Sequence, residues 1–428
     1  MKRNWLALTL AFALLLTGCS SAANPSTAGP GGNSAPSLAA KPSYPKSLDF
    51  DDYEAKHAVR EEYPVADEIW DSVAEFSARS ASLALGDTDE NSLYSPISLW
   101  FALAICAESA EGETRDALLE ALGLSGDAAS TAKAMYNRLY TDNEMGALKL
   151  SNSLWVNETF TVNQDFLKQA AKDFYAHSYT CDFSSPKTGQ AMGDWLDKAT
   201  GGLLGGEPLE TDEATLMTLF SAIYYSDQWT DEFNEENNTT GDFRNGDGTV
   251  SQAEYMNRTY GSHGWQVGDG WISSSLGLKN GGGMTFVLPD EGVTPGELLA
   301  DPDTLAAILS RENDGGFGEV VFQVPKFEVS DSLDLRDTVT GLGAGVVFDP
   351  EKADFSNLSD QVLCLSDVKQ EATLSIDEKG VTAAAYTQIL YCGAAMPEGR
   401  AELILDRPFL FFVSFCGVPL FIGVVNQM

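Results

Sequence analysis

A chain of 428 residues with 43% hydrophobic content can bury one large domain of mixed secondary structure, and its net charge of −37 excludes partners that need a basic footprint. Nucleic acid is set aside on that ground, as is attachment to anionic headgroups through a charged face. The three histidines, His57, His177 and His263, have no partner at helix spacing, and no GxSxG elbow occurs, so neither a Ser or Cys hydrolase nor a His-rich metal site has a basis here.

Lys2 and Arg3 precede an apolar run over 5–16 that is too short to span a bilayer as a helix. Residues 1–18 therefore read as an export signal. The run ends in Leu16-Thr17-Gly18-Cys19, which resembles the bacterial lipobox, and that resemblance implies lipid attachment at Cys19. The stretch 19–46 is rich in Ser, Ala, Pro and Gly, cannot offset its ordering entropy by burial, and predicts a flexible tether. The main domain is expected over 47–428, exported and either held outside a bacterial membrane through Cys19 or released.

Helical periodicity follows over 65–83, with Ile69, Val73, Phe76 and Leu83 on one stripe. Ser95 and Ser98 stand ahead of an apolar helix over 99–110, where a hydroxyl can cap open N–H groups. Further helices are expected over 113–122, 129–139, 163–176 and 187–200. Strands are expected over 148–156, 216–225, 284–288, 320–329, 409–415 and 420–425. Asn245-Gly246-Asp247-Gly248 and Gly281-Gly282-Gly283 read as hairpin turns rather than phosphate cradles. The acidic run over 87–91 lacks the glycine and closing glutamate of a calcium loop. No cofactor and no metal are implied. Cys106, Cys181, Cys364, Cys392 and Cys416 are odd in number and widely spaced, which fits neither a disulfide framework nor a zinc site. Cys106 and Cys416 lie in apolar runs and are expected to be buried; Cys392 is the thiol expected to be reactive.

Near the C-terminus a polar turn, Asp377-Glu378-Lys379-Gly380, leads into a segment with usable strand alternation. Val381, Ala383, Ala385, Thr387, Ile389 and Tyr391 share one face when extended, and Thr382, Ala384, Tyr386, Gln388, Leu390 and Cys392 the other. Such a segment can serve as an exposed loop or as a half-buried strand.

From about residue 63 onward the chain resembles the serpin family. Asn91 and Ser95-Pro96-Ile97-Ser98 are similar to its N-x-x-x-S-P-x-S motif, and Ala110-Glu111-Gly112-Glu113-Thr114 to its A-x-G-x-T turn. Residues 150–183 resemble its strand, helix, strand passage. Asp194-Trp195 with Thr200-Gly201-Gly202 resembles the end of the helix that crosses the main sheet. Residues 224–229 with Phe233 match its Y-F-K-G-x-W…F segment, with Ser226 and Asp227 in place of Lys and Gly. Residues 284–290 resemble M-x-x-x-L-P-x, and Asp406-Arg407-Pro408-Phe409 through Leu420-Phe421-Ile422-Gly423 the C-terminal signature.

The resemblance implies an α+β serpin fold of three β-sheets with eight or nine helices and an exposed reactive loop over about 378–400. It also implies a monomer that is not an enzyme but the consumed substrate of a serine protease. The protease cleaves the loop, an acyl-enzyme forms, and the freed loop inserts into the main sheet. The hinge is assigned to Glu378, Gly380, Val381, Thr382, Ala383, Ala384 and Ala385, with Val381, Ala383 and Ala385 uncharged and small to medium on the side that insertion would bury. Val381 is expected to be the first side chain to pass from solvent into the sheet. Family spacing puts the scissile bond after Ala394, with Ala395 or Met396 as alternatives, which suits an elastase-like or subtilisin-like pocket. Where the main sheet opens, the family places Asn and His. Here Ser221 and Gln370 stand instead and are expected to form a different polar lock with Ser95 and Ser98, close to Trp229. The alternative is a non-inhibitory surface-binding protein with the same fold.

Overall fold

A computed structural model of the chain describes residues 8–18, 35–86, 88–202, 206–310, 314–381 and 399–428. Two strands, β1 (Leu8–Gly18) and β2 (Ser37–Ala40), precede helices α1 (Tyr53–Glu62) and α2 (Asp67–Leu85). Strand β3 (Ser92–Tyr94) then leads into α3 (Pro96–Ser109), α4 (Gly112–Ala121) and α5 (Ala128–Leu139). Helix α3 is apolar on all sides and buried on all sides. Its start is set by Ser95, whose hydroxyl accepts the Ser98 N–H at 3.4 Å, and by Pro96 in the first turn.

The middle of the chain runs β4 (Thr141–Asn143), β5 (Gly146–Asn157), α6 (Gln164–Asp173), β6 (Ala176–Cys181), α7 (Pro186–Ala199) and β7 (Thr215–Gln228). It continues with β8 (Thr239–Arg244), β9 (Val250–Gly268), β10 (Trp271–Gly277), β11 (Gly282–Pro289), α8 (Pro295–Ala300) and α9 (Pro302–Ser310). The last part holds β12 (Gly315–Pro325), β13 (Glu328–Asp334), α10 (Arg336–Val339), β14 (Leu363–Ser375), β15 (Gly380–Val381), β16 (Arg400–Ile404), β17 (Phe409–Phe415) and β18 (Val418–Val425). The strand expected over 320–329 is in fact two: after Lys326, whose N–H still donates to the Glu254 carbonyl at 2.8 Å, the chain leaves β9 and joins β14 of the main sheet as β13.

The strands make three sheets. The main sheet has the order β13-β14-β1-β7-β5-β6-β2, with β15 added to the end of β7. The second runs from the end of β9 through β10, β11, β17 and β18 to β3. The third, β16-β12-β9-β8, is continuous with it because β9 passes through both. Strand β7 shows how the layers pack. Leu219, Ile223 and Tyr225 face the large core beneath the main sheet, whereas Phe220 and Ala222 face α7 with Trp155, Met192 and Leu196. Period-2 alternation thus buries both faces of one strand.

The two N-terminal strands depart from what composition predicts. Ser37–Ala40, inside the expected tether, pairs with β6 at the edge of the main sheet, since an open strand edge accepts any compatible backbone. In the full chain the backbone of Leu8–Gly18, read above as part of an export signal, runs antiparallel between β14 and β7. Cys416 is exposed rather than buried: it holds a positive φ of 51° in the turn joining β17 to β18. Cys106 is buried as expected. Among the described residues no helix is long and apolar enough to cross a membrane.

Candidate functional site: the loop hinge and the sheet opening

The turn that launches the loop is pinned on several sides. The Asp377 carboxylate accepts the N–H groups of Lys379 at 2.8 Å and Gly380 at 3.3 Å. Only glycine fits at 380, where a Cβ would meet the Asp227 carbonyl oxygen at 2.3 Å. The buried Trp229 donates its ring N–H to the Asp377 carbonyl at 2.8 Å and its backbone N–H to the Lys379 carbonyl at 2.9 Å. Phe233 donates its N–H to the Glu378 carbonyl at 2.9 Å. Burial raises the Asp377 carboxyl pKa against the pull of its two backbone donors.

Glu378 is only 7% exposed, and its carboxylate receives both the Asn238 amide and the Lys326 ammonium. Lys326 also donates to Glu254 at 2.7 Å. Burial alone would raise the Glu378 carboxyl, but the bonds from Lys326 and Asn238 outweigh it and hold the pKa below the ordinary value. The charge is thereby kept at the base of the loop.

Gly380 and Val381 pair antiparallel with Gln228 and Asp227 of β7. Val381 is completely buried, which corrects the expectation that it waits in solvent. The pinned turn aims the chain along the end of β7, so one hinge side chain already belongs to the core. Across from it, Asp227 accepts the Gln228 N–H at 2.9 Å, the Asn280 backbone N–H at 3.1 Å, the Asn280 amide at 3.1 Å and the Tyr225 hydroxyl at 3.3 Å. Burial nonetheless pushes its carboxyl up to about 7.

The polar lock forms in part. Gln370 accepts the Ser95 N–H at 2.8 Å and returns its amide N–H to the Ser95 carbonyl at 3.1 Å, while the Ser95 and Ser98 hydroxyls meet at 3.3 Å. Ser221 does not join: its hydroxyl is buried without a hydrogen-bond partner among the described residues. The reason is topological, because β1 separates β7 from β14 and the backbone of Phe12 pairs with both Ser221 and Gln370. Trp229 is not part of this lock either. It lies past the end of β7, roughly 25 Å along the strand direction from Ser221, and serves the hinge.

Thr382, Ala383, Ala384, Ala385, Ala394, Ala395, Met396 and Cys19 lie outside the described residues, as does Cys392. The loop is nevertheless bounded. Its described ends are Val381, paired with β7, and Arg400, where β16 pairs parallel with β12 and Arg400 meets Glu319 and Glu402. Sequence reasoning missed Lys326, Asn238, Glu254 and Asn280, which hold the hinge across long separations. Pro325 was the one local hint, since it marks the strand break that turns Lys326 toward Glu378. No group of His, Cys, Asp and Glu suited to a metal ion occurs among the described residues.

Three sheets, a buried central helix and a short strand, β15, paired to the end of a main-sheet strand define a mixed α+β protein. The chain belongs to the serpin family: the family model described as Serpin (serine protease inhibitor) matches residues 72–428. It is 26% identical to alpha-1-antiproteinase of Rattus norvegicus, over 89% of this chain and 94% of that protein. It is 29% identical to Serpin-Z1A of Triticum aestivum, over 79% and 90%. Among solved structures it is similar to the thermophilic serpin tengpin in the native state, with TM-score 0.73 and 25% identity over 85% of this chain and 95% of that one. Arabidopsis AtSerpin1 in its native stressed conformation also has TM-score 0.73, at 23% identity over 85% and 99%. Family and fold together support protease inhibition as the general function.

Proposed function

We propose that this protein is an exported, lipid-anchored bacterial inhibitor that traps a serine protease of elastase-like or subtilisin-like specificity by loop cleavage and insertion. It acts as a monomer and supplies no catalytic group, because the nucleophile belongs to the protease. The observation that carries this reading is the pairing of Gly380 and Val381 with the end of β7. That pairing points the loop along a strand whose next neighbour position is one that takes a strand antiparallel to both β7 and β14. In the full chain β1 fills it; in a chain processed ahead of Cys19 the position is left to the loop. Continuing the β15 register brings Ala383 opposite Tyr225, where the backbone of Leu8 stands in the full chain.

The cut is assigned after Ala394, or after Ala395 or Met396, small or unbranched side chains that enter a shallow apolar pocket. Processed protein mixed with elastase or subtilisin should give a complex that survives heating in SDS, with one protease consumed per inhibitor. Turnover of the loop without any such complex would favour the non-inhibitory alternative. The anchor has its own test: Cys19→Ala should shift the protein from the membrane fraction to the soluble or unprocessed pool.

A further inference from the structure

A cavity of about 640 Å³ lies between α7 and the β5–β6 edge of the main sheet, away from the hinge and from the lock, and residues 36–44 close one side of it. Its volume is that of a small-molecule site. The walls are aromatic. Trp155 and Tyr179 stack with centroids 4.3 Å apart, His177 lies 6.1 Å beyond Tyr179, and Tyr44 meets the His177 ring with its hydroxyl 3.2 Å from Nδ1. Trp195 comes in from α7.

The charge at this cavity runs against that of the chain. A protein with 63 acidic and 26 basic residues brings three lysines, Lys41, Lys149 and Lys198, to one opening. Lys149 is paired with Asp142 at 2.9 Å, whereas Lys41 and Lys198 have no ion-pair partner among the described residues. The one carboxylate in the lining, Asp194, accepts the Gln190 amide at 2.8 Å. Lys41, Lys198 and His177 line the same cavity, and burial, and then the two lysines, push the His177 pKa down.

We infer that this cavity is a binding site for a planar aromatic carboxylate, its ring held among Trp155, Tyr179 and Trp195 and its anionic group between Lys41 and Lys198. Apolar walls with a few convergent polar groups are what fix such a ligand, and the two exposed ammonium groups at the opening draw its anionic end toward solvent.

The test is a fluorescence titration of the full chain with 1-naphthoate, following the tryptophans. Saturable binding with a Kd on the order of tens of micromolar is expected for a ligand of this size. Three further measurements decide the matter. The neutral isostere 1-naphthamide should bind at least about ten-fold more weakly, and the exposed-site variant Lys41→Gln/Lys198→Gln should weaken naphthoate by a similar factor at unchanged thermal midpoint. Ala191→Trp, which fills the cavity from α7, should abolish binding. Equal affinity for the amide, an unaffected lysine variant, binding that survives Ala191→Trp, or no saturable binding in the millimolar range would each overturn the proposal.

Discussion

Val381 lies directly opposite Asp227 across the β15 and β7 pair, so a fully buried hinge side chain faces a buried carboxyl. The proton on that carboxyl therefore bears on how the native sheet end holds together. Burial raises the Asp227 pKa from an ordinary 3.8 to about 7. The folded state then binds this proton more tightly than the unfolded state, and the associated stability is full below about pH 4 and lost as pH rises through about 7. Urea unfolding of the intact protein should lose on the order of 2 kcal/mol between pH 5.5 and 8 through this group. His177 and His263, both lowered by burial, act in the opposite direction, so the diagnostic quantity is the difference between wild type and Asp227→Asn. An identical pH slope in the variant would exclude a titrating Asp227.

The partial lock predicts that two neighbouring polar substitutions behave differently. Gln370→Ala leaves the N–H of a fully buried Ser95 unpaired and its carbonyl with the Leu99 N–H alone, and should cost about 1 to 3 kcal/mol. Ser221→Ala removes a buried hydroxyl that has no partner and should be neutral or slightly stabilising. Urea midpoints of the two variants read the contrast directly, and equal losses would mean that Ser221 shares the lock after all.

At the base of the loop, Glu378 and Lys326 should show strong coupling. Glu378→Gln leaves Lys326 with Glu254 alone, and Lys326→Met leaves Glu378 with Asn238 alone, so the double variant should lose less than the sum of the singles by about 1 to 3 kcal/mol. Additive losses in that cycle would mean the ion pair contributes nothing beyond solvent.

The parts of this fold that sequence made legible are those held by local periodicity. Helices α2 to α7 match their expected spans to within a turn at each end, because apolar stripes, Ser95 and the prolines at 96 and 186 act over a few residues. Strand β9 was not legible: many of its alternate positions are exposed and polar, and it is organised by β8, β10 and β12 rather than by its own pattern. The same distinction governs the site. The polar turn and Gly380 could be read from spacing, and the lock's Gln370 from alignment with a family motif. The hold on Glu378 comes from Lys326 and Asn238, 52 and 140 residues away, which no local pattern announces. The burial of Val381 was missed for a related reason, since parity gives a face but not how far along the strand that face is already covered.

The burial of Val381 moves the decisive test of insertion one step along the loop. An arginine at 381 would damage the native hinge itself, so loss of inhibition there would say nothing about mechanism. Ala383 shares the face of Val381 by strand parity, and continued β15 register brings it opposite the buried Tyr225. Ala383→Arg leaves the pinned turn and the proposed cleavage bond, after Ala394, Ala395 or Met396, unaltered, so protease recognition and acylation should proceed at the wild-type rate. Insertion is what suffers, because an unpaired guanidinium must be desolvated before the following residues can pair. The variant should behave as a substrate: cleaved loop accumulates, protease activity recovers, and the SDS-stable complex falls by an order of magnitude or more relative to uncleaved starting material. Processed Ala383→Arg protein that still consumes protease one to one would show that the loop does not enter the sheet in this register.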